Sequence, residues 1–221
     1  RDRRYRLERI IDAIEAENPD IVCLQEVDRL VRRSRHDDQP RLLARHLRFH
    51  AVFQANVRVG AGTYGNLLLT RFPVASRHRL SLRLGSKKPR GAQLVVIESP
   101  EGPIHVVHTH LGLAEKERQW QIDRLLDHAL FRSGALHPTL VVGDFNDWRD
   151  TLRSGALAAE GFRQVTSPPS AFRSFPAWLP LGSLDKAFAR GVEIGHARVV
   201  RTSLTRVASD HLPLVVDFHL A

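Results

Sequence analysis

The sequence predicts a mixed α/β (α+β) fold, on three observations. Leu7, Ile10, Ile11 and Ile14 recur at helical spacing; short β-like runs follow one another like hairpins; helices and strands do not alternate regularly enough for a βαβ chain. The 221 residues, 43% hydrophobic and 26% charged, suit one soluble globular domain over residues 1–221. No run approaches the roughly 18 apolar residues of a spanning helix, and no apolar segment follows the charges of RDRRYRLERI. A cytoplasmic monomer with no transmembrane segment and no stable protein partner is expected. The chain opens directly on a helical pattern, so a preceding strand or targeting segment is expected to be missing.

The first helix ends at Asn18-Pro19-Asp20, and the apolar run Ile21 to Val27 reads as a buried strand. A second helix is expected from about Pro40 to Leu47. Strands follow at Ala51 to Val59, at Asn66 to Thr70 (stopped by Arg71-Phe72-Pro73), at Ala92 to Glu98 and at Ile104 to His110. Ala114 to Phe131 reads as one helix with Trp120, Leu125, Leu126 and Ala129 on its apolar stripe. His137-Pro138 ends it, and Thr139 to Gly143 is a strand. Arg149 to Gly182 reads as loops around a short helix near Leu152 to Glu160. Strands return at Ser183 to Ala189, around His196 to Thr202, and at Leu214 to His219.

The single cysteine, Cys23, excludes an internal disulfide framework and a cysteine-rich zinc site; within IVCL it reads as a buried thiol. The net charge of +9 implies attraction to polyanions: nucleic acid, anionic membrane surfaces or phosphorylated substrates. Only Lys87, Lys88, Lys116 and Lys186 are lysines, and such wholesale arginine usage can reflect coding bias as well as binding.

Three strands end in polar residues. Glu26 follows Val22 and Leu24, His110 follows Ile104 and Val106, and Asp144 follows Leu140 and Val142. Side chains two apart share a face, so each polar residue extends an apolar face beyond its packed part. Glu26 and Asp144 are hard oxygen donors suited to Mg²⁺, Mn²⁺ or Ca²⁺. Asp144 and Asn146 also suit an Asx turn, Asn146 can offer an amide N–H to a phosphoryl oxygen, and Asp147 reads as turn-forming. Near the end, SDHLPLVVDF sets Asp210 beside His211 before a strand, and Asp185 in SLDKAF is a carboxylate that could fix the imidazole tautomer. His108 shares a strand face with His110, which leaves a transition-metal hydrolase as a rival. His108 itself reads better as a packed or hydrogen-bonded residue, with His105 on the opposite face.

Taken in order, LQEVD, THLG, GDFND, SLDKAF and SDHLP resemble the endonuclease/exonuclease/phosphatase superfamily, the metal-dependent phosphodiesterases and phosphatases that include DNase I-like nucleases. YGNLLLTRFPV resembles the family's central strand. The resemblance implies a four-layer α/β/β/α sandwich of two mixed sheets with the active site at one end. It further implies Glu26 as ligand to Mg²⁺ (or Mn²⁺), Asp210 serving the metal site, and Asp144 and Asn146 positioning the nucleophilic water and the scissile phosphate. His211 with Asp185 would form the acid/base pair, and His110 would touch a phosphoryl oxygen or the leaving group. Two departures from the family's pattern are expected to matter: the family's first strand, with its asparagine, is not among the residues from Arg1 on, and Lys186 stands where arginine or an aromatic residue is usual.

The resemblance leaves the substrate open. On charge, nucleic acid leads, with Arg118, Trp120, Trp148, Arg149, Arg173 and Trp178 as candidate contacts. A lipid or small-molecule phosphoester is the alternative, with Phe172, Phe175, Trp178 and Leu181 in the loop Ser167 to Gly182 as a lipid-facing or substrate-selecting edge. A catalytically incomplete nucleic-acid-binding module is the second alternative.

Overall fold

The computed structural model describes residues 4–134 and 136–220. Helix α1 (Leu7–Glu17) turns Ile11 inward and stops where Asn18, at φ 45°, donates its N–H to the carbonyls of Ile14 and Glu15. A left-handed residue at this position satisfies carbonyls that the helix itself leaves open. Strands β1 (Ile21–Arg29), β2 (His50–Val59) and β3 (Gly62–Thr70) form an antiparallel sheet with β3, the YGNLLL strand, in the middle. Between β1 and β2 runs α2 (Gln39–Leu47), capped by the Asp38 carboxylate on the Arg41 N–H at 3.2 Å. Helices α1 and α2 cover one face of this sheet through Ile11, Leu43, Val22, Val27, Leu67 and Leu69.

The larger sheet contains β4 (Val74–Ser81), β5 (Gly91–Ser99), β6 (Gly102–His110), β7 (Thr139–Asp144), β8 (Arg163–Gln164) and β9 (Asp185–Arg190), in the order β4-β5-β6-β7-β9-β8. Its β6–β7 pair is parallel and its other pairs antiparallel. Helices α3 (Glu115–Asp127), α4 (Ala129–Gly134) and α5 (Ala156–Ala159) cover its outer face through Ile122, Leu125, Phe131 and Leu157. A ribbon of β10 (Val192–Val199) and β11 (Leu214–Leu220), joined through the single turn α6 (Thr205–Ala208), packs with β1–β3 against the inner face. Val52, Leu68, Val95, Ile104, Val106, Leu140 and Ala187 fill the space between the sheets. The result is the four-layer α/β/β/α sandwich.

Several elements differ from the sequence reading for physical reasons. The helix expected over 114–131 is broken at His128, whose backbone is extended and whose Nδ1 accepts the Leu130 N–H at 3.2 Å, starting α4 afresh. The buried line of α3 runs through Arg118, Gln121, Ile122, Leu125 and Leu126, so Trp120 lies off it, half-buried under Arg124. Strand β4 went unread because it is a sheet edge whose arginines and histidine face water. Two-residue β8 and four-residue α6 are too short to show a period. Cys23 packs toward the inter-sheet core, and burial pushes its thiol up to about 12, so it stays protonated.

Candidate active site

Alternation along β6, β7 and β9 aims their polar ends inward. Val106, Leu140, Ala187 and Ala189 face the inter-sheet core, whereas Val107, Val141 and Phe188 face the outer helices. Two-residue steps therefore place His110, Asp144 and Asp185 on the inner face just past that core. The strand register sets His110 opposite Asp144 and Asp144 opposite Asp185, three polar residues in a row across the sheet. His110 Nε2 lies 3.4 Å from Asp144 Oδ2.

Glu26 reaches the same place by a different route, which corrects the simple alternation expected for LQEVD. Val22 and Leu24 face the helices, so plain alternation would send Glu26 away from the site. Instead β1 is bulged between Leu24 and Val27, with Glu26 in left-handed backbone at φ 54°. A bulge inserts an extra residue and re-aims side chains. Gln25 turns to the inter-sheet side, its amide 2.7 Å from His108 Nε2, and Glu26 turns to the cleft, where Lys88 Nζ is 3.3 Å away. His108 is fully buried, its other ring nitrogen 2.8 Å from Gln93 Oε1, and burial holds it neutral at about 3. It is the hydrogen-bonded residue expected, not a metal ligand paired with His110.

The VVGDFNDWRD loop divides its side chains. Asp144 Oδ1 accepts the Asn146 N–H at 2.9 Å, a genuine Asx turn, while Oδ2 stays turned toward His110 and His211. Asn146, at φ 50°, spends one amide hydrogen on the Leu111 carbonyl at 3.0 Å. Asp147 points away and accepts from Thr151 N, Thr151 Oγ1 and Leu152 N at 3.0–3.1 Å, the turn-forming role expected of it. Trp148, one of the candidate nucleic-acid contacts, is 57% exposed and stands edge-on to Phe175.

His211 closes the site. Its Nδ1 is 2.8 Å from Asp185 Oδ2, and its Nε2 is 4.0 Å from Asp144 Oδ2. Ser174, which sequence reasoning missed, donates its hydroxyl to the same Asp185 oxygen at 2.5 Å. Burial alone would lower the His211 pKa, but the hydrogen bond and charge of Asp185, with Asp144 and Asp210 behind, raise it to about 9. Asp144 is pushed up to about 7, first by burial and then by Asp185, against the pull of His211, the Asn146 N–H and Arg90. His110 is held well below its ordinary value by burial and by the nearby cations Arg90 and Lys88.

These groups share a cleft of about 460 Å³ lined by Glu26, His110, Asp144, Asn146, Asp210 and His211; Asp185 lies behind His211. Also missed was Arg90, only 6% exposed yet lining the cleft, its Nε without a hydrogen-bond partner. The basic run Lys87-Lys88-Pro89-Arg90 just before a strand was the available signal. Among the described residues no group of three or more His, Cys, Asp or Glu side chains is placed to hold a metal ion. Of the lining carboxylates, Glu26 and Asp210 are hard oxygen donors of the kind a cation such as Mg²⁺ takes, and such a cation keeps several waters and needs only one or two carboxylates.

A four-layer α/β/β/α sandwich with a polar cleft at one end is the class that this architecture defines. The sequence profile of the Endonuclease/Exonuclease/phosphatase family matches residues 1–211, and the chain belongs to that family. It is 30% identical to the uncharacterized protein YbhP of Escherichia coli, the match taking in 99% of this chain and 90% of that one, and equally so to YbhP of Shigella flexneri. An endonuclease/exonuclease/phosphatase structure from Beutenbergia cavernae superposes with a TM-score of 0.79 at 24% identity over 97% of this chain and 66% of that one. The human Nocturnin catalytic domain, solved with a bound sulfate anion, gives 0.75 at 25% identity, covering 96% and 85%.

Proposed function

We propose that the cleft hydrolyses phosphodiester bonds of a polyanionic substrate, with Mg²⁺ or Mn²⁺ held by Glu26 and Asp210. The observation that supports this most is the His211–Asp185 pair at 2.8 Å in a cleft that also presents Asp144, Asn146 and the buried Arg90. The cation would supply charge neutralisation at a phosphoryl oxygen.

The chain's own groups divide the remaining work. Nδ1 of His211 is committed as donor to Asp185, so Nε2 is the ring atom free to exchange a proton with cleft water. Asp144 Oδ2, 4.0 Å from it, can share that proton. Arg90 and the second amide hydrogen of Asn146 would offer donors to the non-bridging oxygens, and His110, which also lines the cleft, would touch a phosphoryl oxygen or the leaving group. As water's oxygen bonds to phosphorus, its proton passes to the His211–Asp144 pair; the ester P–O bond breaks, and the departing oxygen takes up a proton returned by that pair through cleft water. Positioned charge does most of the work, as in phosphoryl transfer generally.

Nucleic acid is the substrate favoured by net charge, but the structure withdraws two of its candidate contacts. Arg118 is buried against the Leu113 carbonyl and Asp147, and Trp120 is half-buried on α3. The test is turnover of bis-p-nitrophenyl phosphate with Mg²⁺, with Mn²⁺ and with EDTA, for the parent, Glu26→Ala and His211→Ala. Loss of at least ~100-fold in both variants and in EDTA is expected; unchanged, metal-independent turnover in both variants would overturn the reading.

A further inference from the structure

The loop that carries Ser174 and Phe175 to the catalytic pair also carries an apolar tip. Ser174 holds Asp185, and the Phe175 ring packs 4.8 Å from the His211 ring. Backbone bonds from Ala177 N to Asp210 O at 2.7 Å and from Leu212 N to Ser174 O at 2.9 Å tie this loop to the Asp210–His211 segment. Beyond that base the chain turns, with Leu179 N on Pro176 O and Leu181 N on Phe175 O, and leaves Trp178 64%, Leu179 49% and Leu181 59% exposed. Trp148 lies over Gly182 and extends the same patch. Phe172, expected on this edge, is instead core.

Isolated exposed apolar residues are ordinary; four large ones on a rigid rim beside a polar cleft are not. A further exposed leucine, Leu113 at 74%, lines the cleft itself. The exposed cations Lys87 and Lys88 line the cleft, and the exposed Arg173 lies with Trp148 and Leu181 in the adjoining hollow, its carbonyl accepting from Arg201 Nη2 at 3.3 Å. Tryptophan with a basic surround suits either stacked bases or a membrane interface. Leu113, Leu179 and Leu181 decide between them, because aliphatic side chains gain little against bases and gain most by leaving water for acyl chains.

We propose that the Trp148–Trp178–Leu179–Leu181 rim seats the cleft on an anionic phospholipid surface, so that the phosphodiester hydrolysed belongs to a lipid. The proposal rests on the phosphodiesterase reading above for its chemistry. Its surface half is independent of that reading, because binding to vesicles can be read without turnover.

The experiment uses the full chain and a Trp178→Ser/Leu181→Ser variant, two positions outside the catalytic groups. Each is sedimented with phosphatidylglycerol vesicles and with phosphatidylcholine vesicles, and assayed on vesicle phosphatidylglycerol, on single-stranded DNA and on bis-p-nitrophenyl phosphate. The parent is expected to co-sediment preferentially with the anionic vesicles. The variant is expected to lose about tenfold or more in vesicle binding and in lipid hydrolysis, with turnover of the soluble diester unchanged. Absence of parent binding to anionic vesicles overturns the proposal, as does equal binding by the variant. A rim-dependent loss confined to DNA hydrolysis, or a concentration-dependent dimer of the parent that the variant abolishes, assigns the patch to another partner and also overturns it. If the parent lacks diester turnover but binds vesicles through the rim, the phosphodiesterase reading fails and the surface assignment stands.

Discussion

Replacing Gly143 by alanine should damage the site without touching any polar group in it. Gly143 precedes Asp144 and pairs with Thr109 across the parallel β6–β7 step, at φ 140°. An ideal Cβ there would lie 1.8 Å from the Thr109 carbonyl oxygen, where real Cβ contacts essentially never fall under 3.0 Å. That oxygen is backbone, so the strands must part by about 1.2 Å or the backbone must twist. The strained φ alone costs on the order of 1–3 kcal/mol for a side-chain-bearing residue. Because Asp144 follows at the next position, the same displacement moves its carboxylate relative to His110 and His211. A misplacement of about 1 Å can cost roughly a hundredfold in rate. Gly143→Ala should therefore lower kcat on bis-p-nitrophenyl phosphate by about two orders of magnitude and lower the urea midpoint. Parent-like rate and midpoint would refute the claim that this close approach fixes the position of Asp144.

Two further perturbations test the frame around the site. Asp147→Ala removes the acceptor of two backbone N–H groups and leaves buried Arg118 without its carboxylate at 3.6 Å, so a loss of about 3–5 kcal/mol in urea unfolding is expected; under 1 kcal/mol would show the bonds to be incidental. His105 and His108 have folded-state values lowered by burial to about 4 and about 3, against an ordinary 6.5. The unfolded chain thus binds the extra protons, and the stability present above pH 6.5 is lost on acidification toward those folded values. The loss by pH 5 is about 2 kcal/mol per histidine, and a His108→Gln variant should show a shallower decline in a urea series between pH 7 and 5.

What could be read from the sequence followed from periodicity. The polar ends of β6 and β7 were legible because two-residue alternation carries an apolar face directly into Asp144 and, past His108, into His110, while Asp185 was legible as a carboxylate within an apolar run. Strand β4 was not legible, because an edge strand can wear arginine on an exposed face and its apolar signal is diluted. Ser174 and Arg90 were hidden for another reason. A serine in a loop and an arginine before a strand have no period, and their importance lies in which distant residue they meet: Asp185, 11 positions on, for Ser174, and the cleft for Arg90.

Glu26 shows how a correct residue can be reached by an incorrect route. Its motif named it, but the face assigned by alternation was wrong, and only the bulge opposite Asn66 brings it into the cleft. The bulge has its own support. The Gln25 amide reaches across to His108, His108 to Gln93, and the Gln93 amide to the Val52 carbonyl at 2.6 Å, a chain of polar contacts through the inter-sheet space. Buried polar groups are tolerable only when paired, so each member of the chain fixes its neighbour. Charging His108 would turn Nε2 from acceptor into donor and set it against the Gln25 amide. The neutral imidazole that burial enforces is thus the form that holds Gln25 inward on the side of Cys23, while the left-handed backbone of Glu26 turns the next side chain to the cleft.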